Sequence, residues 1–477
     1  MAGVIRCAVV TDILHCPARP VFSGRQPARN IARSPCAVNI KWTIGRGSAA
    51  GPYNGASKIG PFVHIVNPAS DVTSAPDNRL VAMVVLASTV SQIASAMSVA
   101  IFPVIAPKLA AQLAIDASFI GYQMSLLYGS AMVLSAVAGT AELRWGACRT
   151  MQVALVASGT GMALAITGNL YLLAVAAVFV GAGAALVSAG AAHLLFRFSL
   201  PQRHNLIFSI KQTGVPFGWA AVALLAPSVT LRLGWRWALA AVMIYAICMA
   251  IALQRVRARW DDDRDPGGAT QVHVLDGLRL LWRYPLLRRL GYAGFFFSFV
   301  QLCLGTFTVT LLVKEADYSL ITAGFMFSLI QVAGISSRVL LGWAADVTGR
   351  SISVLRVSDL VVAACCVIAA FINSSWSPVL LAGFYVVFGA MAYGWNGVMQ
   401  AQIARLSPKG LVGVTTGGLM VWIFAGTLVG PALFATAYRF IGSYTMCFGV
   451  LAVFAMGGWA SLRSVRVAEH EQMLRNH

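Results

Sequence analysis

About a dozen apolar stretches, each long enough to cross a bilayer, fill this chain between residues 80 and 460. Roughly 18 or more apolar residues span the hydrocarbon core as a helix. Lipid offers no water to the backbone, so each stretch must bond its own N–H and C=O groups, as a helix does. The stretches lie near 80–105, 121–141, 150–168, 170–196, 206–229 and 237–253, then 290–313, 320–345, 357–372, 378–403, 411–438 and 444–460. The pattern predicts an all-α membrane protein with twelve transmembrane helices in two six-helix bundles, 78–254 and 287–464. A charged linker, 255–286, joins them, and tails 1–77 and 465–477 flank them.

Only 11% of residues are charged, against about 25% in soluble proteins. A net charge of +19 would point to nucleic acid in a soluble chain, but the positions argue otherwise. Eight arginines crowd the linker region, Arg255 to Arg289, and Arg144, Arg149, Arg197, Arg203, Arg350, Arg356, Arg405, Lys409, Arg463 and Arg466 fall on the same side. The opposite loops hold Lys108, Arg232, Arg236, Lys314 and Arg439. This positive-inside bias places both termini and the linker in the cytoplasm, with the bacterial inner membrane as the expected location and no nucleic-acid partner.

Nine cysteines form no CxxC pair, so neither a metal site nor a redox dithiol is supported, and no cofactor is expected. Cys248, Cys303, Cys365, Cys366 and Cys447 lie in apolar spans, where a thiol acts as a small hydrophobe. Residues 1–77 are rich in Arg, Pro, Gly and Ser without an apolar period. They read as a disordered tail or an over-called start.

The two groups echo each other. Gly139-Thr-Ala-Glu142-Leu-Arg144-Trp-Gly146 closes the second span, and Gly342-Trp-Ala-Ala-Asp346-Val-Thr-Gly349-Arg350 closes the eighth. Gly214-Val-Pro216-Phe-Gly218 in the fifth answers Gly426-Thr-Leu-Val-Gly430-Pro431 in the eleventh. Gly234-Trp235-Arg236 opens the sixth as Gly442-Ser443-Tyr444 opens the twelfth. All three offsets are roughly 200 to 215 residues, the mark of an internal duplication.

On these residues the chain resembles a twelve-helix permease of the major facilitator superfamily, over about 80–466. The turn after the eighth span matches that family's glycine–aspartate–glycine–arginine signature through Gly342, Asp346, Gly349 and Arg350. The turn after the second is a degenerate copy that keeps Gly139, Arg144 and Gly146 but has Leu143 where the aspartate is expected. The resemblance implies that these turns latch the two halves on the cytoplasmic side. Asp346 would then face the start of the fifth span near Asn205 and Leu206, where a helix N-terminus attracts a carboxylate. Glu142 points about 100° away from the missing aspartate's position.

Charge within a span is costly, about 2.5 to 3.5 kcal/mol at a helix centre, so the exceptions are informative. Lys211, followed by Gln212, sits well inside the fifth span, just before a Gly-Pro break of the kind that lines cavities. It reads either as a fixed cation for an anionic substrate or as a lysine snorkelling to headgroups. The resemblance places the first, fourth, seventh and tenth spans around a central cavity. They offer Gln92 and Ser95, Ser188, Phe297 and Gln301, and Tyr393, Trp395 and Asn396, polar groups among apolar walls. Helix packing through Gly394 and Gly397 is the rival reading of the last cluster, and packing alone accounts for Gly181, Gly183, Gly417 and Gly418. Arg338 reads as a partner of Asp346 or Asp359, Arg356 and Asp359 as a helical neighbour pair, and His193 as a hydrogen-bonded structural residue.

Glu142, Glu315, Asp317, Asp346 and Asp359 all read as lying near span ends. A pump for cationic drugs usually needs a buried carboxylate, so the pattern favours an anionic or neutral substrate. No P-loop, HExxH or GxSxG motif is present, so neither ATP drive nor a membrane enzyme is expected. The reading is a monomeric secondary transporter of a small organic anion, with the bilayer and the substrate as partners. A coupling proton or counter-ion is left open. Metabolite or drug efflux and a transport-dead sensor are the alternatives.

Overall fold

The computed structural model describes residues 78–199, 204–264, 279, 281–407 and 412–475. The N-terminal tail, with Cys7, Cys16 and Cys36, and most of the linker lie outside that range. Among the described residues twelve long helices follow in order. They are α1 (Asn78–Leu113), α2 (Ile120–Trp145), α3 (Ala147–Ile166), α4 (Leu170–Phe198), α5 (His204–Arg232) and α6 (Trp235–Gln254), then α7 (Pro285–Lys314), α8 (Leu320–Thr348), α9 (Ser351–Ala369), α10 (Pro378–Leu406), α11 (Val412–Ile441) and α12 (Tyr444–Arg475). Ten of them are long and apolar enough to cross a membrane. In α3 the apolar run is diluted by Arg149, Gln152, Ser158 and Thr160. Large apolar side chains such as Val339, Trp343, Phe371 and Val453 face outward, each at least 66% exposed, as a lipid-facing surface requires.

The duplication read in the sequence is present in the packing. Within the first half α1 packs on α5 and α6, α2 on α4, and α3 on α6; within the second α7 packs on α11 and α12, α8 on α10, and α9 on α12. Across the seam α2 meets α11 and α5 meets α8, two contacts that exchange under the same repeat. The paired turns also match: Gly146 and Gly349 have φ of 91° and 62°, where a side chain would strain the backbone.

Both halves pack through close backbone approach at glycine: a Cβ on Gly181 would lie 2.0 Å from Leu127 O, and one on Gly426 2.2 Å from Phe295 O. The second half adds aromatic stacks, Phe299 on Phe454 and Phe307 on Phe434, each at 4.1 Å.

Several close approaches between the halves lie toward the end of the molecule opposite the linker, the far face, while the hydrogen bond from Arg338 to Gln212 O crosses nearer the linker end. Gly121 abuts Pro431 O and Ala435, Tyr122 OH lies 3.0 Å from Thr436 Oγ1, and Gly324 abuts Ala223 O. Nearer mid-depth the Trp219 indole meets Phe327 edge-on at 5.9 Å, beside Gly305.

Three expectations need correction. The Gly-Pro segments do not break α5 or α11, which run through Pro216, Pro227 and Pro431. Instead Gly214 and Gly218 let α5 pack closely on Thr89 O and Ile93 O of α1. Gly417 does not pack, since nothing lies within 4 Å of where its Cβ would be. Asp359 is not near a helix end: α9 starts at Ser351, directly after the Gly349 turn, so the carboxylate sits mid-helix and 1% exposed.

Candidate substrate site

Lys211 stands on the α5 face turned toward α4 and is 3% exposed. Its ammonium donates to Ser188 O at 3.0 Å and Ser188 Oγ at 3.1 Å. It therefore points inward and does not snorkel. Gln92 of α1 lies against Gly214, one turn further along α5. Its Oε1 is buried without a hydrogen-bond partner among the described residues, as is Ser95 Oγ. Gln92, Ser188 and Lys211 thus form a polar group in the first half.

The second half supplies a matching group arranged around Gln301 of α7. Gln301 Oε1 accepts from Trp395 Nε1 at 2.9 Å and Asn396 Nδ2 at 3.5 Å, while Tyr393 OH donates to Gln301 O at 3.4 Å. Phe297 stacks on Trp395 at 4.9 Å. Gly394 does pack, against Ser337, so helix packing and polar display coexist on this turn of α10.

Arg338 joins the two groups. Its Nε donates to Tyr393 O and its Nη1 to Gln212 O across the seam, both at 3.3 Å. The expected pairing with Asp346 or Asp359 is not made; α8 turns the guanidinium toward α10 and α5. Gln212 contributes its carbonyl here, and its side chain is exposed. The structure thus presents two cations, one from each half, resting on neutral oxygens. Arg338 was the signal the sequence held but did not rank, a charge well inside a span.

Asp346 pairs with Arg405 of α10 at 3.4 Å, and both side chains are more than half exposed. Gly342, Gly349 and Arg350 stand at the same turn, with open space at both glycines. In the first half, Gly139 and exposed Arg144 lie on α2, and Gly146 faces the linker.

That linker contact was missed. Trp260, in the one-turn helix Arg257–Trp260, is fully buried, and the next residue, Asp261, caps α3. Its carboxylate accepts from Cys148 N at 2.7 Å and Arg149 N at 2.9 Å, where unpaired N–H groups and the helix dipole favour negative charge. Burial raises the Asp261 pKa above the usual carboxylate value, opposed by those two N–H groups and by Arg257. A Cβ on Gly146 would lie 2.3 Å from Asp261 Cγ, so glycine is required there. Arg197 pairs with Asp262 at 2.5 Å and Asp263 at 3.0 Å, and His193 bridges Asp263 at 2.9 Å and Glu142 at 3.6 Å. The Trp-Asp-Asp-Asp run in an Arg-rich linker was the available signal. The supposed Arg356–Asp359 pair is not formed: Arg356 lies over Trp459, and Asp359 Oδ2 has no partner among the described residues.

The family model described as Major Facilitator Superfamily matches residues 88–431. The 4-hydroxybenzoate transporter PcaK of Acinetobacter baylyi is 23% identical over 339 residues, covering 64% of this chain and 73% of its own length. A probable hexose phosphate transport protein of Chlamydia trachomatis is 23% identical over 185 residues, 33% of this chain and 41% of its own. Among solved structures, the nucleoside transporter NupG (D323A mutant) superposes with a TM-score of 0.68 at 10% identity, over 80% of this chain and 99% of that one.

Proposed function

The chain belongs to the major facilitator superfamily, and from that premise we propose that it is a secondary transporter carrying a small organic anion, such as a carboxylate, by alternating access. The observation that carries this reading is the pair Lys211 and Arg338, supplied by facing helices of the two halves and held on neutral oxygens. A cation at membrane depth is costly unless something offsets it: Glu142 acts on Lys211, and an anionic solute between the halves would offset Arg338, which makes no ion pair among the described residues. Gln92, Gln301, Tyr393, Trp395 and Asn396 would orient it. The names of the two relatives, a hydroxybenzoate and a hexose phosphate transporter, describe anions.

The positive-inside bias supports an inner-membrane orientation with both termini and the linker in the cytoplasm. On that orientation the close approaches on the far face support an inward-facing arrangement, in which the Arg338 contact with Gln212 O is a linker-side bridge. The two halves would rock about the midplane site, with Asp346 exchanging Arg405 for the α5 N-terminus as the cytoplasmic side closes.

The test is ligand-induced thermal stabilisation of the purified protein across matched small anions, cations and neutral solutes, since a ligand that binds only the folded state raises the melting temperature with dose. Stabilisation by carboxylates that is lost in Lys211→Ala is expected. Stabilisation by lipophilic cations alone, unchanged in Lys211→Ala, refutes the anion reading and favours efflux.

A further inference from the structure

Two arginines share one indole at the linker-side end of the second half. Arg356, in the second turn of α9, holds its Cζ 5.4 Å from the centre of the Trp459 ring. Arg463, where the apolar span of α12 ends, holds its Cζ 5.6 Å from the same ring. Gly458, next to Trp459, lets α9 and α12 meet closely at this level: a Cβ there would lie 2.6 Å from Asp359 Oδ2. Asp359 is turned into that contact and is 1% exposed. Arg356 Nε is buried with no hydrogen-bond partner, and neither arginine makes an ion pair among the described residues. Like charges gathered on one ring repel, and nothing described around them supplies the opposing charge.

We propose that Arg356, Trp459 and Arg463 bind the phosphodiester headgroup of an anionic phospholipid in the linker-side leaflet, with its acyl chains lying along α9 and α12. A guanidinium presents a planar fork of donors that suits phosphate oxygens, and an indole is at home at the depth of the headgroups. Basic pockets between helices on the cytoplasmic side are the kind that take anionic lipid heads. The apolar surface deeper in the membrane argues for a lipid over a soluble phosphate. Helical spacing puts Leu360 and Val367 on the α9 face that carries Arg356, and Met456 on the α12 face that carries Trp459 and Arg463. Leu360 is 50% exposed, Val367 49% and Met456 39%. A lipid uses both the charges and this strip, whereas inorganic phosphate uses the charges alone. The site stands on α9 and α12, which pack on each other, and does not depend on the anion reading above.

Native mass spectrometry of the full chain tests this, with phosphatidylglycerol and phosphatidylcholine offered at equal concentration in a neutral detergent. Phosphatidylglycerol should be retained in preference. A basic residue beside an anionic headgroup is worth about fivefold in affinity, so Arg463→Gln should weaken retention about fivefold and Arg356→Gln with Arg463→Gln about 30-fold. Arg259→Gln removes an exposed linker charge outside the site and should change nothing. Equal retention of the two lipids, full retention in Arg463→Gln, or an equal loss in Arg259→Gln overturns the proposal. Inorganic phosphate is the second arm. It should leave the lipid bound, and displacement at a concentration equal to the lipid's assigns the site to a free anion and overturns the lipid. If the double variant does not fold, Arg463→Gln decides alone, because that side chain is exposed.

Discussion

The far-face seam makes a quantitative prediction through Gly324→Ala. The new Cβ would stand 2.2 Å from Ala223 O and 2.7 Å from Pro227 Cγ. An ordinary carbon–oxygen contact is about 3.3 to 3.6 Å, so α5 and α8 must part by about 1 Å. A gap of that size forfeits up to half of the dispersion energy of the atoms lining it, and overpacking a tight contact costs about 1–3 kcal/mol. The contact joins the two halves, so the cost falls on the far-closed state and is relieved when that face opens. At tenfold per 1.4 kcal/mol, the far-open population gains about 5- to 140-fold over the far-closed one. Gly181→Ala is the control. Its Cβ would stand 2.0 Å from Leu127 O, a worse clash but between α2 and α4 of one half, so it lowers stability without moving the ratio. Distances between spin labels at Leu231 and Ile321, exposed positions near the far ends of α5 and α8, read the outcome in liposomes. An unchanged distribution in Gly324→Ala, or an equal shift in Gly181→Ala, refutes the reasoning.

Asp261→Ala should lower stability by about 1–3 kcal/mol, because two α3 backbone N–H groups lose their acceptor; denaturant melts check this, and no change means the cap is replaced locally. Asp346→Asn should cost less than about 1 kcal/mol, the exposed pair with Arg405 being worth little, yet slow transport in liposomes; equal flux at equal incorporation removes the latch. Asp359→Asn should raise the melting temperature, since it replaces a buried carboxylate whose Oδ2 has no partner among the described residues with a neutral side chain of the same shape; a clear fall in thermal melts would reveal a stabilising contact of the charge. Gln301→Ala should cost about 1–3 kcal/mol by orphaning the buried Trp395 N–H, read by the same melts.

The helices, the duplication and the positions of Lys211, Gln301 and Trp395 were legible because apolar length, glycine spacing and intramembrane charge are written directly in residue order. What was not legible depends on azimuth and on distant partners. The sequence placed Lys211 in the fifth span but left open whether it reached outward or inward; the inward answer needs Ser188 on another helix. Asp359 seemed terminal because hydropathy starts the ninth span at Val357, whereas the helix begins at Ser351, where polar residues are shielded by α12. Asp261 sits 113 residues from the N–H group it caps, a separation no local pattern reports. Glu142 was assigned a face relative to a missing aspartate, and the structure gives it an imidazole on α4.

Trp219 gives the seam an optical property. Its indole is 6% exposed, wedged at the junction of α5, α7 and α8 against Phe327 and Gly305. Parting of the far face would hydrate this ring while leaving Trp395, stacked within the second half, in its dry environment. The protein therefore carries its own fluorophore for the opening step. A red shift that appears in Gly324→Ala and vanishes when Trp219→Phe is added would follow the motion without any attached label.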